Sequence, residues 1–331
     1  MPKRLFKPRR GNSLKNILIE KSSGYRRAQW YASRPSIAIT QEIFHHTKEK
    51  KTMQLTEVKI VADSSADTLT LGDFPFAVAP LKMISSKKEY VDDKNLDVEQ
   101  MLDELAQNDE KVGSSCPSPE DWISCFGDAK YVFCFTITSG LSGSYNSARI
   151  AKKDYEEKYP DRKVHIVDSL STGPETVVLI EKVKELILAG RTFEEVSKSV
   201  DEYQKTTGLV FMLKSLRNLK NNGRVNPIVA KVVGVLGIKI IGEASEKGEL
   251  KSLVKHKSER TLFMKLLECM KDKGYKGGKV RIGHCRNEKD SLRLQAQILQ
   301  EYPNADVSIY KLRGLCSFYA EIGGVLVGFE G

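Results

Sequence analysis

YVFCFTITSGLSGSYNSA, residues 131–148, passes from an apolar run into a loop of hydroxyls and glycines and then into a helical pattern. Tyr131 to Ile137 reads as a buried strand because it is short, β-branched and aromatic, and bounded by turn residues. The loop that follows, Thr138-Ser139-Gly140-Leu141-Ser142-Gly143-Ser144, combines glycines, which let backbone approach a ligand, with serines and free N–H groups at the next helix. Such a loop can hold a carboxylate or phosphate. Gly-Ser turns also serve as ordinary strand-to-helix connectors, so the neighbouring segments must decide between the two readings.

Those segments repeat the unit. Val58-Lys59-Ile60-Val61-Ala62 and Val164-His165-Ile166-Val167 read as further strands, with helical patterns between them. Ser118-Pro119-Glu120-Asp121 opens one helix with a Ser N-cap, Pro in the first turn and acids behind it, and Thr172-Gly173-Pro174-Glu175 opens another that reaches Leu188 before Gly190. These are the residues that helix termini favour. Alternating strands and helices predict an α/β fold with a mainly parallel sheet and helices on both faces. The polar turns Asp63-Ser64-Ser65, Thr138 to Ser144 and Asp168-Ser169-Leu170-Ser171 then gather at the carboxyl edge of that sheet, where ligands bind in open α/β folds.

A second unit begins near residue 205, with a strand over Gly208 to Leu213, a helix over Met212 to Asn221, and a turn at Gly223-Arg224. On that helix Met212, Leu216 and Leu219 make an apolar stripe, while Lys214, Arg217 and Lys220 read as a solvated face or a partner-docking patch. Asn226-Pro227 caps a helix ending at Gly237 that is apolar nearly all round and expected to be buried. KYPDRKVHIV at 158–167 is echoed by EYPNADVSIY at 301–310, which supports a second α/β domain built from comparable units. The expected division is a basic extension at 1–52 and α/β domains at 53–204 and 205–331.

The chain's formal charge of +10 resembles a nucleic-acid signature until it is located. Residues 1–52 hold thirteen Lys/Arg and three Glu, so the remaining 40 basic and 40 acidic groups leave the body neutral. A nucleic-acid partner is therefore not expected of the body. The extension lacks the apolar core of a signal peptide and reads as disordered or non-native. Lys48-Glu49 can be encoded by a bacterial ribosome-binding sequence, so Met53 is expected to be the native start. The six cysteines, Cys116, Cys125, Cys134, Cys269, Cys285 and Cys316, form no C-x-x-C or Cys/His ligand pattern; reduced thiols, a cytoplasmic location and no metal are expected. Pro227 to Ile241 is the longest apolar stretch, too short and too interrupted by lysines to span a membrane.

Catalysis finds little support. A serine nucleophile needs a base in reach, and of the body's histidines His165 lies in a strand, His256 sits between lysines, and His284 ends a strand and is the best candidate. Gly140-Leu141-Ser142-Gly143-Ser144 misses the G-x-S-x-G elbow because Ser144 stands at its last glycine. Neither G-x-x-x-x-G-K-[ST] nor G-x-G-x-x-G occurs, so a nucleotide-dependent activity in this chain is not expected.

Taken together, residues 56–331 resemble the DegV family of bacterial fatty-acid-binding proteins. Val58 to Ser65 is similar to the family's opening strand and loop. Gly113-Ser114-Ser115-Cys116-Pro117-Ser118-Pro119 resembles its Thr-Ser-Gln-Pro-Ser segment, and Ser139-Gly140-Leu141-Ser142-Gly143-Ser144-Tyr145 its Ser-Ser-x-Leu-Ser-Gly-Thr-Tyr segment. Asn222-Gly223-Arg224-Val225 and Gly237-Ile238-Lys239 match its Gly-Gly-Arg-Ile and Gly/Asn-Ile-Lys. The resemblance implies two α/β domains with one long-chain fatty acid such as palmitate between them and its carboxylate at Ser114 and Ser142. Ser139 is the nearby candidate, and Ser115, Arg224 and His284 are secondary ones. It further implies no cofactor and no catalytic group, because a separate fatty acid kinase would make the acyl-phosphate. The alternatives are a binding or regulatory protein for another anionic lipid and, behind it, a serine hydrolase. Two departures bear on the head group: Cys116 replaces the family's Gln, and Ala320-Glu321 replaces its His-Thr, removing a histidine and introducing a carboxylate.

Overall fold

Three sheets carry the chain in the computed structural model, which describes residues 52–107, 110–225, 239–256, 258 and 261–331. The 1–52 extension up to residue 51, the apolar helix expected at 227–237, and Gly237-Ile238 fall outside the described residues. The first sheet is built from β1 (Val58–Asp63), β2 (Phe76–Ala79), β6 (Tyr131–Thr136) and β7 (Lys163–Asp168), in the order β2-β1-β6-β7 and parallel throughout. A small antiparallel sheet, β4-β3-β5, joins β3 (Lys82–Ile84), β4 (Glu89–Val91) and β5 (Gly113–Ser115). The third is built from β8 (Thr207–Leu213), β9 (Lys239–Ala244), β10 (Leu250–His256), β11 (Val280–His284), β12 (Val307–Lys311) and β13 (Val325–Glu330), ordered β10-β9-β8-β13-β11-β12.

Strand alternation divides the cores. In the parallel sheet Ile60, Ala62, Phe133 and Phe135 face Leu179, Val183 and Val196 of helices Pro174–Leu188 and Phe193–Tyr203. Val61, Val132 and Cys134 face Trp122, Phe126 and Tyr155 of helices Pro119–Phe126 and Ser144–Lys158. Helices therefore cover both faces, as the alternating pattern predicts. Ser118 caps its helix in a full capping box with Asp121, whereas the helix at Pro174 takes Gly173, at φ 53, as its N-cap residue in place of Thr172.

The third sheet departs from the expectation of comparable units. Its strands pair antiparallel except for β11 and β12, which run parallel. What the Tyr-Pro echo does mark is the common turn into β7 and β12: Tyr159 and Tyr302 end their helices with nearly the same backbone, φ −132, ψ 83 and φ −126, ψ 79. The helix expected over Met212 to Asn221 is shorter, Arg217–Asn221; Met212 lies inside β8, buried on the face opposite Leu213. Met-Leu-Lys-Ser-Leu is a short apolar run whose helix and strand readings periodicity does not separate. Lys214, Arg217 and Lys220 are exposed.

Helix Pro174–Leu188 ties the two large sheets together. A Cβ on Gly328 of β13 would stand 2.2 Å from the Glu175 nitrogen, so only glycine lets the helix start lie directly on that strand. Arg281 of β11 grips Glu181 of the same helix at 2.7 Å. The carboxyl-edge loops of the parallel sheet thereby sit over the Leu209, Phe211 and Leu213 face of β8.

Candidate functional site

Asp63, at the end of β1, organises the polar side of the site. It is 1 % exposed and accepts four hydrogen bonds: from the Ser65 hydroxyl at 2.5 Å and N–H at 3.2 Å, the Ile137 N–H at 2.9 Å and the Ser144 hydroxyl at 2.6 Å. Burial pushes its carboxyl above the usual range while those donors oppose the shift. This carboxylate fastens the end of β1 to the start of the serine loop and to the first residue of the following helix. Ser144 is consequently structural. Asp92, equally buried, accepts from the Gly314 and Leu315 N–H groups at 3.1 and 2.9 Å and seats the short helix Gly314–Ala320.

Between these loops and the face of β8 lies a narrow slot with about 670 Å³ of free space, its mouth included. Its walls are apolar: Leu81, Ile137, Leu209, Phe211, Leu213 and Leu326. On β8 the three lining residues alternate at two-residue spacing, so the slot follows that strand for roughly 13 Å. Among the described lining residues Arg224 alone carries a formal charge.

The polar lining gathers where helix Arg217–Asn221 meets helix Gly314–Ala320. Ser114 on β5 shares a 2.7 Å hydrogen bond with the Tyr319 hydroxyl, across 205 residues of sequence. Two hydroxyls that spend one hydrogen on each other keep one to donate. Ser142 accepts the Ser144 N–H at 3.2 Å, so its own hydrogen is available to a ligand. Arg224 donates from Nε to the Leu141 carbonyl at 3.3 Å and from Nη1 to the Asn222 carbonyl at 2.8 Å, which holds the guanidinium against the serine loop. Thr172 and Cys316 add a hydroxyl and a thiol farther along the wall, 3.3 Å apart, and burial raises the thiol well above its ordinary range.

Of the sequence candidates, Ser114, Ser142 and Arg224 thus line one cavity. Ser139 is exposed with its N–H donated to Asp168 at 3.0 Å, and it stands outside the lining. Ser115 pairs with Lys82 and, next to Ser114 on a strand, takes the opposite face. His284 is 3 % exposed, accepts the Asn287 N–H at 3.2 Å on Nδ1, and has its pKa lowered by burial; it too stands outside the lining. Ala320, where the resemblance places a histidine, does line the cavity. Glu321 does not: at φ 55 its carboxylate turns to the Asn218 N–H at 3.0 Å and caps helix Arg217–Asn221. Tyr319 escaped the sequence reading, although it sits beside Ala320.

Comparisons with known proteins agree with this architecture. The family model described as "Uncharacterised protein, DegV family" matches residues 57–330. A DegV domain-containing protein of Streptococcus pneumoniae is 41% identical over 276 residues, covering 82% of this chain and 98% of its own. A DegV family protein from Eubacterium eligens, solved loaded with heptadecanoic acid, is 41% identical with a TM-score of 0.81, covering 82% of this chain and 99% of its own. The Streptococcus pneumoniae Fatty Acid Kinase (Fak) B3 protein, solved loaded with linoleic acid, is 40% identical with a TM-score of 0.81 and the same coverage, 82% and 99%. The chain belongs to the DegV family.

Proposed function

We propose that this DegV-family chain holds one long-chain fatty acid, with the acyl tail along β8 and the carboxylate among Ser114, Tyr319, Ser142 and Arg224, and presents it to a separate fatty acid kinase. One observation carries the reading: a slot walled by leucines is closed at one end by hydroxyl donors and not by an ion pair. About fourteen methylenes at roughly 0.8 kcal/mol each offer on the order of 11 kcal/mol, from which association costs are subtracted. The tail supplies affinity and the hydroxyls supply orientation. Neutral donors leave carboxylate oxygens nucleophilic enough for phosphoryl transfer, whereas a bidentate arginine would occupy the oxygens a kinase must reach. Arg224 has Nε committed to Leu141 and serves as a positive field beside the site.

Binding without catalysis in this chain fits the same geometry. Ser142 receives an amide N–H and the best histidine candidate is engaged elsewhere, so among the described residues of the slot's lining no general base stands beside a serine. The two-domain division at 53–204 and 205–331 and a cytoplasmic setting belong to this proposal.

Native mass spectrometry of protein purified from bacteria, followed by organic extraction, tests it. A single fatty acid per chain, exchangeable for added palmitate and phosphorylated only when a kinase and ATP are supplied, is the expected result. A slot that stays empty and refuses palmitate and oleate overturns it.

A further inference from the structure

A second, polar cleft lies beyond the apolar slot. It has about 1260 Å³ of free space, its mouth included, and is lined by Glu175, Gln204, Thr207, Glu246 and Lys273 among others. Among the described residues Leu209 alone borders both spaces. Its side chain is 1 % exposed, and it sits at the opposite end of the β8 row from Leu213, which adjoins helix Arg217–Asn221 and its hydroxyl neighbours. The backbone just before it is held in place: Thr207 donates to Glu175 at 2.7 Å, and the Phe329 ring lies against Gly208, 2.7 Å from where a Cβ would stand. The oily slot and the wet cleft therefore adjoin at Leu209.

We propose that Leu209 is the chain-length stop of the slot. The inference rests on the fatty-acid reading above. A terminal methyl that reaches Leu209 has used the apolar wall, and further methylenes would have to displace the leucine to enter the cleft. Shortening Leu209 joins the two spaces and lets a longer tail run on between Leu209 and the Leu250 side of the wall. Leu213 also lines the slot but does not border the cleft, so it separates a loss of wall from a loss of stop.

The full chain is tested as wild type, Leu209→Ala, Leu209→Val and Leu213→Ala against equimolar palmitic, stearic, arachidic and behenic acids, with bound lipid read by native mass spectrometry. The wild type takes palmitic or stearic acid in preference to behenic acid. In Leu209→Ala the behenic-to-palmitic ratio rises at least about tenfold, the worth of two further buried methylenes. Leu209→Val moves the ratio in the same direction by less and decides the matter if the alanine variant fails to fold. Leu213→Ala leaves the ratio within about twofold. Unchanged ratios in both Leu209 variants, or an equal rise in Leu213→Ala, overturn the stop while leaving fatty-acid binding intact. A wild type that binds none of the four acids overturns the binding reading itself.

Discussion

The two sides of the slot are made by opposite means. On one side the parallel sheet's loops are cross-linked by buried polar groups, with Asp63 alone joining β1, the serine loop and a helix start through four hydrogen bonds. On the other side the face of β8 offers Leu209, Phe211 and Leu213 with no polar constraint beyond the strand ladder. The first side sets positions, because a hydrogen bond has direction and an unmade one is costly when buried. The second sets affinity, because apolar burial scales with area and tolerates reshaping. Removing a group on the polar side should thus disturb the fold and the ligand together, whereas a volume-conserving change on the apolar side should disturb neither.

The sharpest break of that contrast is Asp63→Ala beside Leu213→Met. The alanine strands four buried donors and is expected to cost roughly 3–5 kcal/mol and to lose bound ligand. The methionine keeps the wall's volume and is expected to cost less than about 1.5 kcal/mol with ligand retained. Thermal denaturation with lipid content measured on each variant checks both; equal losses would dissolve the distinction.

A contrast inside the polar side gives the next effect. Asp67 lies in the same loop as Asp63 and is buried, but where Asp63 accepts four hydrogen bonds its support is the Arg313 N–H, at 2.8 Å on Oδ1, and the neighbouring Cys316 thiol. Burial raises its pKa from 3.8 to about 8, with the Arg313 N–H opposing and Asp92 adding repulsion. Between those values the folded chain keeps a proton that the unfolded chain has lost. The contribution of Asp67 to stability therefore falls as pH rises from about 4 to about 8 and is flat above. Asp67→Asn, which carries no titrating proton, should lose less melting temperature between pH 5 and pH 8 than the wild type. A residual decline is expected because burial also raises Asp63, Asp92 and Glu175. Parallel declines in the two proteins would show that Asp67 is ionised in the fold.

What could be read from the chain follows the range of the interactions. The parallel sheet and its capped helices rest on local signals, alternation and turn chemistry, and Ser118 or the Tyr131 run needs no partner far away to be recognised. Ser114 and Ser142, singled out by motif resemblance, both line the slot. Ser139 and His284 stand outside the described lining because polar residues at strand ends are commonly engaged by their own loops, here with Asp168 and Asn287. Tyr319 and Leu209 were out of reach: one meets Ser114 only across the fold, and the other matters only because two cavities happen to meet at its side chain. The antiparallel third sheet was hidden for a related reason, since a strand's period reveals its faces and not its neighbours.

The smallest expected effect tests whether the hydroxyl end orients more than it binds. Tyr319→Phe keeps the ring against Phe318, whose centroid is 4.8 Å away, and deletes only the oxygen that meets Ser114. The Ser114 hydroxyl then loses its fixed direction but stays in the slot, so melting temperature should be nearly unchanged. Palmitate affinity should fall by roughly threefold to tenfold, the worth of about one hydrogen bond. Palmityl alcohol, which has the same tail and no charge to hold, should bind the variant and the wild type alike. If the alcohol weakens as much as the acid, the oxygen is part of the apolar wall's packing, and the division of labour between the two sides of the slot fails at the point where they meet.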